Sequence, residues 1–149
     1  MLRPKQKVAP PPRKRYVLND QVGFLLRVAM QRHTTIFTAR MIEELTQTQF
    51  AALAKLLEVG PCSQNQLGRL ICLDAATIKG VVDRLRTRGL VATAGDANDR
   101  RRRAVTPTLV GRQVTEAAIL VAAQITAQTL APLSPREQRA VRLLLKKLG

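Results

Sequence analysis

The chain reads as a mainly α protein with a small β-wing: a winged helix-turn-helix module set between N- and C-terminal dimerisation helices. Three observations predict this. Two short helical patterns, each opened by a capping residue, follow one another between residues 60 and 88. A strand-like stretch at 90–93 comes next, with its return at 102–106. The turn between them leads into Asp96-Ala97-Asn98-Asp99-Arg100-Arg101-Arg102-Arg103, four consecutive arginines at the end of a hairpin. A helix end and an arginine-bearing wing on one surface suit the major and minor grooves of duplex DNA.

The elements follow in order. Residues 1–17 carry Arg3, Lys5, Lys7, Arg13, Lys14 and Arg15 among four prolines, with almost nothing to bury, and read as a disordered basic arm. From Asn19 or Asp20, either of which suits a cap, one helix is expected to run to about Glu44. Val22, Leu25, Leu26, Ala29, Met30, Phe37 and Met41 fall at helical spacing along it. Residues 18–46 thus form a first helical segment whose apolar face suits dimerisation. A second helix is expected from Gln47 or Thr48 to Val59, with Phe50, Leu53, Leu56 and Leu57 on its apolar side and Gly60-Pro61 ending it.

Ser63 is placed to cap a third helix, with Gln66 three residues on to complete a capping box and Leu67, Leu70 and Ile71 facing inward. Asp74 caps a fourth helix to Arg88, with Gly89 as its stop; Ile78, Val81, Val82 and Leu85 make its apolar stripe. Gly95, Asp96, Ala97 and Asn98 favour a turn between the two strands. The winged module therefore spans 47–107. The C-terminal segment 108–149 holds a long helix from Thr108 to Leu130, poor in charge, then a helix opened by Ser134-Pro135-Arg136-Glu137 with Val141, Leu144, Leu145 and Leu148 on one face. These terminal helices carry more apolar face than the small central module can cover, which predicts a homodimer.

Composition narrows the function classes. The 149 residues include 46% hydrophobic and only 3% aromatic, with no Trp, which favours Leu/Ala/Val-rich helices. A net charge of +15 points to a polyanionic partner, double-stranded DNA first. No run of 18 apolar residues exists, so no membrane span is expected, and Pro10-Pro11-Pro12 arrives before any signal-like apolar core; a cytoplasmic location follows. Cys62 and Cys72 lack metal-ligand spacing and read as two reduced, partly buried thiols; no metal or cofactor is expected. A lone histidine and no clustered carboxylates leave no nucleophile-and-base pair, so the chain does not read as an enzyme.

Leu67-Gly68-Arg69-Leu70, Asp74-Ala75-Ala76-Thr77-Ile78, Val82-Asp83-Arg84-Leu85, Arg88-Gly89-Leu90-Val91 and the wing 96–101, followed by Thr108 and Gly111, occur in order and at consistent separation. Over residues 18–148 the chain resembles the MarR family of bacterial transcriptional regulators. The resemblance implies an obligate dimer whose two modules each bind half of a palindromic operator. It implies a recognition helix at 75–88, with Ala75, Ala76, Thr77 and Lys79 meeting bases or nearby phosphates and Arg84 near the backbone. Arg101 matches the wing-tip arginine of the minor groove, with Asp99 holding its guanidinium, and Arg100, Arg102 and Arg103 beside it. In a regular strand Arg101 and Arg103 would point one way and Arg102 the other. Ser63, Gln64 and Asn65 would serve phosphate oxygens from the start of the third helix. Two departures stand out: Gly80 where many relatives have a larger, often basic residue, and Pro107, which should end the wing pairing early.

His33 lies with Met30, Phe37 and Arg40 on one face of the first helix, a core or dimer-interface position or one wall of an effector pocket. The family places its ligand between the first, second and fifth helices, which makes Arg27, Met30, His33, Phe37 and Arg40 candidate effector residues, with Arg32 a further anion partner. The stretches 61–70 and 74–82 look most like members that control aromatic-acid degradation. That implies a repressor released by an aromatic effector, with the CoA thioester of the acid, such as a hydroxycinnamoyl-CoA, expected ahead of the free small aromatic acid. A non-specific architectural nucleic-acid-binding protein would explain the charge and the arm equally well, but not the capped recognition helix.

Overall fold

The computed structural model describes residues 14–96 and 99–149, with only the backbone described at 96 and 99–102. Residues 1–13 of the expected basic arm, and Ala97 and Asn98 of the expected turn, lie outside the described residues. The described residues form a 3-10 turn at Leu18–Asp20, then α1 (Val22–Arg40), α2 (Gln47–Val59), β1 (Cys62–Ser63), α3 (Gln64–Leu70) and α4 (Ala75–Thr87). The wing strands β2 (Val91–Asp96) and β3 (Asp99–Pro107) precede α5 (Leu109–Leu130) and α6 (Pro135–Leu148).

Local chemistry sets most boundaries. Thr46 opens α2 with a full capping box, its hydroxyl accepting from the Gln49 N–H and the Gln49 side chain accepting from the Thr46 N–H. Gly60, with φ 83°, closes that helix in a conformation a side chain resists. Asp74 Oδ1 accepts from the Thr77 N–H at 2.7 Å to start α4, and Thr108 Oγ1 does the same for α5 through Gly111 at 3.0 Å. Ser134 and Glu137 form the reciprocal box of α6, with Pro135 at its first position.

Several boundaries differ from the expectation. Neither Asn19 nor Asp20 caps α1: both sit in the 3-10 turn, and α1 starts after Gln21, which has no side-chain cap. The helix ends at Arg40 rather than near Glu44 because Met41 turns extended (ψ 137°) and Glu43 and Glu44 adopt φ 55° and 50°. That break carries Leu45 into the core at 4% exposure. Ser63 Oγ accepts from the Gln66 N–H at 3.2 Å, but the reciprocal Gln66 contact is absent among the described hydrogen bonds, so only half of that box forms. Leu70 is exposed and Ile71 half-buried, because α3 ends at Leu70 and only Leu67 and Gly68 face fully inward. Cys62 is buried, as strand β1 requires, whereas Cys72 is exposed; burial pushes the Cys62 thiol up from its ordinary pKa.

The sheet runs β1-β3-β2, antiparallel throughout. The wing is longer than expected on both sides. Gly95 and Asp96 belong to β2 rather than to a turn, and β3 begins at Asp99. Pairing shifts register between Gly95, opposite Arg103, and Asp96, opposite Asp99, so residues 100–102 are surplus on β3. Strict two-residue alternation of Arg101, Arg102 and Arg103 does not carry across such a shift. Pro107 does not cut the pairing short: it lies opposite Val91 at the last position of β3, past the end of β1 at Val105, where a strand proline is tolerated.

One core cluster fills the module. Ala52, Leu53 and Leu56 of α2, Leu67 of α3, Ile78, Val81, Val82 and Leu85 of α4, and Val91 and Val105 of the sheet are all at or below 2% exposure. A second, smaller cluster joins Ile36 and Phe37 of α1 to Ile125 of α5. It seats the terminal helices beside Phe50 of α2, while Ala118 and Val114 of α5 pack into the module core itself. The α6 helix buries none of its residues.

Candidate functional site

Helix α4, the expected recognition helix, is fixed from beneath and open above. Its apolar stripe locks it on the core, which leaves Ala75, Ala76, Thr77 and Lys79 exposed along the first turn and Arg84 exposed two turns on. The Thr77 N–H first, and hydrogen bonding from Ala76 after it, hold the Asp74 carboxyl below the usual carboxylate range. Asp83 sits mid-helix between two cations, accepting from Lys79 Nζ at 2.7 Å and from Arg86 Nη2 at 2.6 Å. The Lys79 bond is the main cause of its lowered pKa. Lys79 is therefore held along the helix, while Arg84 makes no ion pair among the described residues. A Cβ on Gly80 would meet only Arg84 Nη1 at 3.7 Å, so packing leaves room for a larger residue there.

The remaining sequence candidates fall around this helix. Ser63 and Gln64 are half-buried and Asn65 is exposed, Ser63 being spent on its cap. Arg103 is exposed on β3. The side chains of Asp99, Arg100, Arg101 and Arg102 lie outside the described residues, though their backbone belongs to the wing strand.

A second site lies between α1, α2 and α5. A pocket of about 190 Å³ is lined by His33, Phe37, Gln47, Phe50, Ala122, Ile125 and Thr126. Three aromatic rings wall it, His33 to Phe37 at 6.2 Å and Phe37 to Phe50 at 6.3 Å, both tilted. His33 Nδ1 is hydrogen-bonded to Thr129 Oγ1 at 2.9 Å, leaving Nε2 as the ring's remaining polar atom. Gln47 Nε2 donates to Thr34 Oγ1 at 3.0 Å. On its other side Gln47, with Phe37, also borders an open groove of about 650 Å³ along Thr34, Thr38, Met41 and Glu44 to Thr48.

Of the five candidate effector residues, the structure brings His33 and Phe37 together in the pocket. Arg40 lies nearby and donates to the Gln128 side-chain oxygen, and Arg32 donates to the Gln128 carbonyl at 2.9 Å. Both arginines thus hold neutral acceptors of α5. Arg27 instead lies over the Phe24 ring at 5.2 Å, and Met30 is exposed; neither lines the pocket. Sequence reasoning missed Gln47, Ala122, Ile125 and Thr126. Phe50 was legible as an apolar α2 residue, but nothing in the uncharged run of α5 marks which of its faces meets α1. No cluster of three or more His, Cys, Asp or Glu placed to hold a metal occurs among the described residues. No single described helix is long and apolar enough to cross a membrane.

Comparison with known proteins agrees with this architecture. The MarR family model matches residues 45–102. The HTH-type transcriptional repressor NicR of Pseudomonas putida is 40% identical over 134 residues, 89% of this chain and 85% of its own length. A probable transcriptional regulator from Pseudomonas aeruginosa superposes with a TM-score of 0.87 at 50% identity, over 89% of this chain and 100% of that one. BpsR of Bordetella bronchiseptica, whose DNA binding is regulated by 6-hydroxynicotinic acid, superposes with a TM-score of 0.85 at 40% identity, over 91% and 97% of the two chains. The chain belongs to the MarR family: it is a DNA-binding transcriptional regulator and not an enzyme.

Proposed function

We propose that this MarR-family chain is a cytoplasmic, dimeric repressor that grips a palindromic operator and lets go when a single-ring aromatic acid enters the pocket between α1, α2 and α5. The observation that carries the effector class is the pocket itself. Its volume of about 190 Å³ suits one substituted ring, since a cavity of about 150 Å³ takes up benzene. Phe37 and Phe50 supply the apolar walls, and His33, Gln47 and Thr126 supply the few polar atoms that orient a ligand. Arg40 is the anion partner: a ligand carboxylate outcompetes the neutral Gln128 oxygen for its guanidinium. Arg27 and Met30 then belong to the subunit interface rather than to the ligand.

On DNA, the exposed first turn of α4 (Ala75, Ala76, Thr77 and Lys79) enters the major groove. Ser63, Gln64, Asn65 and Arg84 meet phosphates, and the wing arginines 100–103 reach the minor groove with Asp99 orienting Arg101. A CoA thioester is the second reading, favoured by one observation: the open groove shares Phe37 and Gln47 with the pocket, so a tail has somewhere to lie.

The test is a mobility shift on the duplex that the protein selects from a random pool, with 6-hydroxynicotinic acid, a panel of one-ring acids and their CoA thioesters added in turn. The expected result is a protected palindrome with half-sites about one helical turn apart, released by a free acid. Release by thioesters alone transfers the reading to the groove, and uniform protection without a palindrome replaces the regulator by an architectural protein. Arg101→Ala should weaken the selected duplex by about 1–3 kcal/mol. Asp99→Ala should weaken it too, although it removes a negative charge; tighter binding would reduce the wing to a plain charge cluster.

A further inference from the structure

The C-terminal end of the recognition helix is held from two sides by the elements that wall the pocket. From α5, Thr108 Oγ1 donates to the Gly89 carbonyl at 2.6 Å and the Thr108 N–H donates to the Leu90 carbonyl at 3.1 Å. Helix α5 comes so close that a Cβ on Gly111 would stand 1.8 Å from the Leu90 oxygen. This is backbone against backbone, and it cannot give. From the opposite side, Arg88 Nη2 donates to the Glu43 carbonyl in the α1–α2 connection.

That connection is unusual. Glu43 and Glu44 both stand in the left-handed region, at φ 55° and 50°, with no glycine to relieve them. Backbone of this kind persists only where its surroundings hold it. Buried Leu45 and the Thr46 capping box fasten the downstream side. On Glu43 itself, the described hold is the single bond from Arg88. The same connection ends α1, whose His33 and Phe37 wall the pocket, and contributes Glu44, Leu45 and Thr46 to the adjoining groove.

We propose that Arg88 is a positioning residue that couples the pocket to the recognition helix by way of the Glu43 carbonyl. Filling the space between α1 and α5 displaces α1, because α5 is pinned through Gly111. The displacement reaches the α1–α2 connection, and the bond to Glu43 either breaks or drags the end of α4 with it. Arg88 thereby sets the angle of the helix without touching DNA or ligand. The biological meaning of the link rests on the effector reading above, but its mechanics do not.

The test therefore needs neither ligand nor operator. Ala122→Phe places a ring inside the pocket covalently, and Ala122→Leu is the milder version should the larger side chain prevent folding. Amide hydrogen exchange of the full chain is followed over residues 42–46 and 84–90 in the parent, the Ala122 variant, Arg88→Ala and the double variant. With Arg88 present, filling the pocket should speed exchange at the end of α4 about fivefold or more, a coupling of ordinary allosteric size. With Arg88→Ala the same filling should change it less than about twofold, because the link is already gone. Equal acceleration in both backgrounds, or none in either, overturns the proposal. The two readings also separate on DNA. An acid that releases the selected duplex equally from parent and Arg88→Ala leaves the effector reading standing and removes the link. A chain deaf to every acid, yet non-additive in the exchange cycle, does the reverse.

Discussion

The winged module and the terminal helices are built from similar residues but to different degrees of completion. In the module, α4 spends every apolar side chain of its stripe on one core, with Ile78, Val82 and Leu85 fully covered. In α6, a helix with an equally regular stripe, Leu144, Leu145 and Leu148 remain 59%, 49% and 70% exposed, and α1 and α5 add Leu25, Leu26 and Leu120 to the uncovered set. A leucine buried in full contributes about 1.5–3 kcal/mol, so the terminal helices hold back stabilisation that only another surface can realise. One part of this chain is a finished fold, and the other leaves apolar helix faces uncovered. The pocket lies where those terminal helices meet α2 of the module.

The sharpest way to break the contrast is Gly111→Ala. The added methyl collides with the Leu90 carbonyl at the joint between the two regions, and the loss should reach several kcal/mol because neither backbone can retreat. A variant that melts within a few degrees of the parent would mean that the joint is soft. Leu53→Ala, at 0% exposure in the module core, should cost about 2–5 kcal/mol, read from urea midpoints and independent of protein concentration. Leu144→Glu with Leu148→Glu should behave oppositely. It should leave the module's near-native circular dichroism intact while sedimentation shifts from dimer to monomer; an unshifted dimer would place the subunit interface elsewhere. The smallest effect is acid sensitivity. Asp74 and Asp83 both titrate below the usual carboxylate range, so their contribution is present above an ordinary pKa of about 3.9 and is lost as pH falls through it toward the folded values. Asp74→Asn keeps an amide oxygen for the cap and should flatten the fall in module stability between about pH 5 and pH 3. An unchanged slope would assign the sensitivity to Asp83.

What the sequence made legible divides along the same line. The capped starts of α3, α4, α5 and α6 and the stripe of α4 are local, encoded within four to seven residues, and they fall where Ser63, Asp74, Thr108 and Ser134 put them. The Thr46–Gln49 capping box that opens α2 is equally local. Less visible were features set at a distance. The short strand β1 exists only because β3 pairs with it, and α1 stops at Arg40 where the chain turns to carry Leu45 into a core whose other members run from Ala52 to Ala118. The register shift at Gly95 depends on pairing that no single strand displays. The pocket was half legible for the same reason: His33 and Phe37 share a helix face, whereas Thr126 and Gln47 join them only through packing.

The absent cap of α1 has a consequence for assembly. Among the described α-helices it alone has no side chain accepting from its first N–H groups, and the partners of its Ile36 and Phe37 include Ile125, encoded nearly ninety residues later. During synthesis α1 is made first and settled last. Before α5 arrives, α1 is expected to be held to the module chiefly through Phe50 and the Gln47–Thr34 bond. The terminal helices are then expected to mature late, after the winged module is complete. On that order the pocket and the joint at Gly111 come into being with α5, and the uncovered leucines of α6 follow last.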